Sequence, residues 1–372
     1  MKNDLLEILA CPCCPDALLD LRAFKREKDE IISGELKCSI CHHTYLVQEG
    51  IPRMVPPAQK DSLKNHDLKH QEVREANITY YDSVAEVYEN EVAIVPFLQA
   101  ELNQRRIDQM VKTLAEKTQR ELFLDLGCGT GNVLKFGQKY FQRAIGVDIS
   151  FNMLKQARQS GLEVIQADIL SLPFKSEVFD VVSIFSVLHH IYDYSLVFGQ
   201  ISRILKKEGY LYSDWDPTKK PLPNGKKFSW GIYQLAHMLF SKMEGAKAKL
   251  NSLSGKNGSR KAPIDFMKIR PDLKETHIKA EFHEKRKPEE RGIDFRIVKN
   301  QLELQGFVDI QPFYHQAGLS LDQLTGVPFL KSKLLTFLGF DPEPFLENIL
   351  ILAKKKTSKE TLSFSLEKCE KR

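Results

Sequence analysis

The stretch ELFLDLGCGTGNV, residues 121–133, constrains the fold of this chain more than any other segment. Glu121 to Leu126 is an apolar run of strand type, Gly127 to Gly131 is a glycine-rich turn, and Val133 onward has helical character. A strand thus feeds a helix through a loop whose backbone can approach a bound nucleoside without a Cβ in the way. The spacing is GxGxG preceded by Asp125, whereas the dinucleotide fingerprint is GxGxxG, with its third glycine one residue later. Nicotinamide binding is thereby disfavoured. The next strand, RAIGVDIS, ends in Asp148, 17 positions after Gly131, close to where doubly wound nucleotide folds place an acidic acceptor for ribose hydroxyls. The helix FNMLKQARQS, a third strand EVIQADILSLPF and a fourth, FDVVSIFSVLHHIYD, continue an α/β, doubly wound pattern.

A second constraint sits at the other end of the thiol inventory. Five of the seven cysteines fall within the first 41 residues, leaving Cys128 and Cys369 isolated. Cys11 and Cys14 form one CxxC, Cys38 and Cys41 a second, and 23 residues lie between them. Two such turns can converge four thiolates into the tetrahedral cage zinc favours, with about 2.3 Å per bond. Ile31 to Lys37 and Thr44 to Val47 read as short strands flanking the second turn, which makes the segment a β-rich zinc ribbon. A closed four-thiolate site leaves no position for substrate, so this zinc is structural. Cys13 has no assigned role, and His42 and His43 read as exposed polar side chains on a strand.

LLEILACPCC with YLVQEGIPRMVP resembles the small zinc-ribbon proteins that act as activator subunits for tRNA, rRNA and release-factor methyltransferases. The likeness covers roughly residues 5–57. The strand and loop segments downstream together resemble class I S-adenosylmethionine-dependent methyltransferases, particularly the group that holds the ubiquinone and menaquinone biosynthesis enzymes. That likeness spans roughly 80–355, with a basic segment interrupting it, and implies a seven-stranded Rossmann-like sheet. It also implies that Asp125, Gly127, Gly129 and Gly131 hold the methionine and ribose portion of the cofactor, Asp148 the ribose diol, and Asp168 with Ile169 the adenine edge. YYDSVAEVYEN looks like the lid helix of the same group, with Tyr81 and Tyr88 able to cover the cofactor.

Methyl transfer from a sulfonium already has a good leaving group, so a protein mainly aligns the acceptor and excludes water. A general base is needed only for a poor nucleophile. His189, just past the fourth strand, is the leading base candidate, because ligands in such sheets bind at the carboxyl ends of strands. The alternative is that His189 packs against the cofactor or contacts a backbone carbonyl, while His190 lies on the other face of the turn. Asp214 and Trp215 either line the acceptor pocket or serve as a turn carboxylate and an anchoring aromatic. Glu281, His283 and His315 are weaker pocket candidates. Methyltransferases acting on adenine amines or glutamine amides resemble one another in an Asn or Asp followed by two prolines after the fourth strand. Here the position reads Ser186, Val187, Leu188, His189, which disfavours exocyclic amines and amides and leaves oxygen, carbon or other nitrogen acceptors, with oxygen or carbon preferred. The LHH form also looks like enzymes that methylate a carboxylate on a modified tRNA wobble uridine.

Organisation follows: a zinc-ribbon domain over 1–58, a linker over 59–79, a methyltransferase domain over 80–217 and 288–355, a basic insertion over 218–287 and a tail over 356–372. The insertion holds 17 Lys and Arg against 6 Asp and Glu, a surplus of 11 in a chain of net charge +5. It reads as a substrate cap, and its charge suits an anionic or lipid-like acceptor, with peripheral membrane contact or RNA as alternatives. A small-molecule or lipid-like acceptor is the preferred reading, a tRNA or rRNA acceptor with the ribbon as in-cis activator the second, and a non-catalytic adaptor the third. No obligate protein partner is expected. Neither an export signal nor an apolar run of about 18 residues is evident, which suggests a cytoplasmic protein.

Overall fold

A computed structural model describes residues 1–15, 17–56, 65–91, 101–191, 193–218, 276, 292–315 and 348–356. The ribbon contributes β1 (Leu19–Glu27), β2 (Glu30–Cys38), β3 (Thr44–Gln48) and β4 (Ile51–Arg53), a run of antiparallel pairs. The larger unit contributes β5 (Leu122–Leu126), β6 (Arg143–Asp148), β7 (Glu163–Gln166), β8 (Phe179–Phe185), β9 (Leu205–Pro217), β10 (Phe307–His315) and β11 (Asn348–Lys355). Its helices are α1 (Asn65–Val84), α2 (Tyr88–Glu91), α3 (Glu101–Glu116), α4 (Leu134–Tyr140), α5 (Phe151–Gln159), α6 (Tyr194–Ile204) and α7 (Phe295–Leu304).

The described strands form one sheet in the order β1-β2-β3-β4-β7-β6-β5-β8-β9-β11-β10. Seven of them, from β7 to β10, make the doubly wound sheet, and β11 inserts antiparallel between β9 and β10. The ribbon extends this sheet. β4 pairs parallel with β7 at Arg53 and Gln166, and the Met54 amide donates to the Gln166 carbonyl at 2.7 Å. Strand β8, FDVVSIF, is buried along its whole length, as a central parallel strand must be. Its one carboxylate, Asp180, is accounted for by the amides of Leu122 (2.8 Å) and Glu121 (3.1 Å) and by Lys206.

Strand alternation divides the core into two faces. Phe123 and Val181 point to one, with Ile107, Val111 and Leu114 of α3 and Leu154 of α5. Leu124, Leu126, Val182 and Ile184 point to the other, with Val197, Phe198 and Ile201 of α6 and Val298 and Leu302 of α7. The ribbon's Leu5, Leu9, Ile31, Leu36, Tyr45 and Met54 belong to that second cluster. A segment of about 50 residues has too little interior of its own, so it shares the interior of its neighbour. Polar contacts finish the seam. The Ala10 amide donates to the Pro173 carbonyl (2.9 Å), the Lys175 amide to the Ile8 carbonyl (2.9 Å), and Arg158 pairs with Glu30. Arg53 donates to the Gln166 side chain (2.8 Å) and lies 4.6 Å from the centre of the Phe151 ring.

Three local expectations differ from what is observed. The stretch 59–79 is helical from Asn65, because Ala76, Tyr80 and Val84 repeat at helical intervals and bury against Met153 of α5. His42 and His43 precede β3 rather than lying in it. His42 takes up left-handed backbone (φ 58°) as the chain leaves the cysteine turn, and His43 meets the Tyr45 ring edge-on at 4.6 Å. Strand β1 has no counterpart in the sequence reading, since LDLRAFKRE shows only a weak inward alternation at a sheet edge. Most of the basic insertion, including Glu281 and His283, lies outside the described residues, as does the side chain of His315. Among the described residues no helix is long and apolar enough to cross a membrane.

Candidate functional site

The glycine-rich loop leaves β5 and enters α4 with left-handed backbone at all three glycines, φ 67°, 51° and 93° at Gly127, Gly129 and Gly131. The three serve different ends. A Cβ on Gly127 would lie 2.3 Å from Val187 Cγ2, and one on Gly131 would lie 2.0 Å from Leu162 Cδ1. Those two let the loop pack on its own protein. A Cβ on Gly129 would meet nothing within 4 Å, so this glycine opens the backbone toward space. That space is a cavity of about 360 Å³, within the roughly 300–1,000 Å³ of small-molecule sites.

Asp125, Gly127, Gly129, Asp148, Asp168, Ile169 and His189 all line this cavity, as do Tyr81 and Tyr88. Gly131 does not; it lies beneath the loop, against Leu162. Asp148, at the end of β6, accepts from the Gly129 amide (2.8 Å) through one oxygen and from the Ser150 amide (2.9 Å) through the other. It thereby fixes the loop to the start of α5. Burial pushes its carboxyl up from the usual range, while the Ser150 and Gly129 amides pull it down. Asp125 is 2% exposed and accepts from the Ser183 hydroxyl at 2.6 Å. Burial, with the charge of Asp148 beside it, raises its pKa to about 7 against that hydrogen bond. Two carboxyls pressed into one apolar-walled pocket favour a cationic occupant, which would relieve both.

Asp168, beyond β7, accepts from the Leu170 amide (2.9 Å) and pairs with Arg74 of α1 at 3.5 Å. Sequence reasoning missed Arg74 and Asn77, which line the cavity, and Asp82 and Glu89, which anchor α1 and α2 beside it, because a largely polar helix offers no spacing that marks such residues. Asp82 accepts from the Ser150 hydroxyl (2.5 Å) and the Asn152 amide (2.9 Å), anchoring α1 on α5. Glu89, at α2, accepts from Thr130 and from Asn132 (2.9 Å), tying the lid segment to the glycine loop.

His189 lies in a 3-10 turn, Leu188–His190, past β8. Its Nδ1 is 2.8 Å from Asp216 Oδ1, and its backbone amide donates to the same oxygen at 3.1 Å. His190 also lines the cavity rather than turning away. Its ring centre is 4.1 Å from that of His189, and its Nε2 is 3.4 Å from the Tyr81 hydroxyl. In a three-residue turn successive side chains sit about a third of a revolution apart, so neighbours can flank one opening. Asp214 and Trp215 do not line the cavity. Asp214 is fully buried against Arg106 of α3 and the Tyr212 hydroxyl (3.1 Å), and Trp215 is buried in the core.

The four cysteines of the two CxxC turns place their sulfur atoms within 4.8 Å of one another. Cys11 Sγ and Cys41 Sγ are 3.7 Å apart, close to the roughly 3.8 Å edge of a tetrahedron with zinc–sulfur bonds near 2.3 Å. The Ile40 and Cys41 amides both point at Cys38 Sγ (3.4 Å each), and against burial they bring that thiol down to about 7. Such a donor set suits a thiophilic, tetrahedral ion, and zinc fits it. Cys13 stands outside the cluster, exposed, with the Tyr45 hydroxyl 3.8 Å from its sulfur.

Residues 124–213 match the family model described as "Methyltransferase domain", and residues 2–50 match "Trm112p-like protein". Among curated proteins, the chain is 32% identical over 107 residues to "Probable tRNA methyltransferase 9B" of Bos taurus, covering 29% of this chain and 22% of that one. It is 30% identical over 119 residues to "Demethylmenaquinone methyltransferase" of Thermobifida fusca, covering 30% and 50%. The chain thus spans about half or less of the length of the curated relatives it matches. Among solved structures, a Haemonchus contortus phosphoethanolamine N-methyltransferase 2 in complex with S-adenosyl-L-methionine superimposes with a TM-score of 0.45 at 14% identity, over 84% of this chain and 63% of that one. Residues 124–213 are thus similar to a methyltransferase domain, and residues 2–50, on its amino-terminal side, to a Trm112p-like protein.

Proposed function

We propose that this protein is an S-adenosylmethionine-dependent methyltransferase whose cofactor occupies the cavity beside the glycine loop. One observation carries the reading: Asp125 and Gly129 at the end of β5, Asp148 at the end of β6 and Asp168 just beyond β7 converge on a single cavity at the carboxyl edge of the sheet. When bound, S-adenosylmethionine supplies a methyl group on a cationic sulfur with a neutral thioether leaving group. Asp125 and Asp148 suit that cation, and in this reading Asp148 takes the ribose diol and Asp168 with Ile169 the adenine edge. Tyr81 and Tyr88 of the lid exclude water. Zinc held by Cys11, Cys14, Cys38 and Cys41 keeps the ribbon folded on the edge of the sheet. Isothermal calorimetry tests the reading: S-adenosylmethionine binds and a nicotinamide dinucleotide does not. Failure to bind S-adenosylmethionine would remove it.

The preferred acceptor is a small molecule or lipid-like compound methylated on oxygen or carbon. A tRNA acceptor is the second reading, favoured by the Trm112p-like match and by the name of the Bos taurus relative. Cells fed isotopically labelled methionine, with and without the protein, separate the two: the label disappears either from digested RNA or from the small-molecule and lipid extract.

Gly129→Ala is expected to spare the fold and harm the ligand site. Its Cβ meets no protein atom, and the left-handed backbone costs about 1–2 kcal/mol. Calorimetry should show cofactor affinity lowered about tenfold or more, by blocking close backbone approach. A second expectation follows from Asp125. A cation bound beside it favours its ionised form, so affinity for S-adenosylmethionine relative to S-adenosylhomocysteine should rise as pH increases through about 7. In the ligand-free protein the sign reverses. The folded state holds this proton more tightly than the unfolded chain, so the contribution of Asp125 to stability is full below the ordinary carboxylate range and is lost as pH rises to about 7. Thermal melting across that window, compared with Asp125→Asn, isolates the effect.

A further inference from the structure

We infer that Asp216 and His189 form a proton-accepting pair, and that the acceptor of this methyltransferase is a weakly acidic hydroxyl of phenol or enol type. The inference rests on the methyltransferase reading above and names its substrate class. Asp216 is fully buried, and its Oδ1 faces His189 Nδ1 at 2.8 Å. Its Oδ2 is 3.4 Å from the Ser213 hydroxyl, which donates to it. A buried carboxylate against Nδ1 holds the ring proton there, so the basic lone pair of the neutral imidazole is on Nε2. His189 is itself 9% exposed and lines the cavity shared with Gly129, Asp125 and Asp148. A base is superfluous for an amine that is already neutral, which attacks through its own lone pair. It is required for a hydroxyl, whose neutral form is a poor nucleophile.

The step balances. The acceptor O–H bond breaks and its proton passes to His189 Nε2. The electron pair of the oxygen forms the bond to the methyl carbon, and the pair of the broken carbon–sulfur bond stays on sulfur. The positive charge lost at sulfur reappears as an imidazolium beside Asp216, whose carboxylate stabilises it. Asp216 touches no reacting atom and is a positioning residue.

Two measurements on the full chain test this. In the first, nitrogen-15 NMR of histidine-labelled protein, with His189 assigned by its disappearance in His189→Gln, reads the ring tautomer without cofactor or turnover. The expected result is a proton on Nδ1 in the parent and loss of that preference in Asp216→Asn. In the second, 4-nitrophenol is bound in the presence of S-adenosylhomocysteine, below the pH at which the free phenol ionises. Its visible spectrum should show bound phenolate in the parent, with the phenolate-to-phenol ratio lowered about tenfold in Asp216→Asn, the size of one charge-assisted hydrogen bond. A parent ring protonated on Nε2 overturns the pair even if Asp216→Asn does not fold. A probe that stays neutral, or does not bind although S-adenosylhomocysteine does, overturns the phenol-type acceptor. Failure of S-adenosylhomocysteine itself to bind strikes the cofactor reading instead, and the tautomer measurement still decides the pair.

Discussion

Cys38→Ser is expected to release the zinc and to unfold more than the ribbon. Structural zinc contributes about 10–16 kcal/mol of apparent binding free energy in small zinc modules, so loss of one thiolate removes a large share of what holds residues 1–56. Cys38 is fully buried and its sulfur is approached by two backbone amides, which a shorter, harder oxygen would not satisfy in the same place. The damage should spread. Leu5, Leu9, Ile31, Leu36 and Tyr45 share one interior with Leu126, Ile145 and Val147, and β4 covers the edge of β7. Hydrogen exchange should therefore show lost protection in β7 and α5 as well as in β1 to β4, alongside loss of zinc by elemental analysis. Cys13→Ser should leave metal content and exchange as they are, because Cys13 is exposed and outside the sulfur cluster. Equal zinc loss in both variants would contradict the ligand set. Protection lost only in β1 to β4 would contradict the shared interior.

Asp148→Ala is expected to weaken S-adenosylmethionine binding by about 1.5–3 kcal/mol, or roughly ten- to a hundredfold, the worth of hydrogen bonds to a charged group. Two losses combine. The ribose acceptor disappears, and the Gly129 and Ser150 amides lose the oxygens that hold the loop in register with α5. Asp148→Asn keeps one oxygen for an amide and presents a donor where the second oxygen was. It should fall between Ala and the parent in affinity, with a smaller fall in melting temperature than Ala. Calorimetry and thermal melting on the two variants check this, and unchanged affinity in Asp148→Ala would remove Asp148 from the cofactor site.

Contiguous stretches were the most legible part of the chain. The strand, glycine loop and helix at 121–140, the acidic end of β6 and the two CxxC turns are each specified within a few residues, by backbone requirements that only certain side chains meet. Asp125, Asp148, Asp168 and His189 were findable for the same reason: each stands at or just past the end of a strand that an apolar run announces. Asp216 was not. Asp214 and Asp216 both precede the end of β9, and plain alternation would send them the same way. Instead Trp215 adopts left-handed backbone (φ 63°), and the pairing of β9 with β11 slips by a residue there. Asp214 is then directed to Arg106 and Asp216 to His189.

Sequence alone determined that a zinc-type cysteine cluster precedes a doubly wound nucleotide-type sheet, because both patterns arise from local backbone geometry. Tertiary structure decided that the two are one sheet with one interior, that α1 contributes Arg74 and Tyr81 to the cavity, and that Asp216 rather than Asp214 faces the histidine. Those outcomes depend on contacts between residues as much as 168 positions apart, as at Glu7 and Lys175, and on a bulge whose energy is set by the strand beside it. A composition or a spacing carries no record of which edge a neighbour will cover.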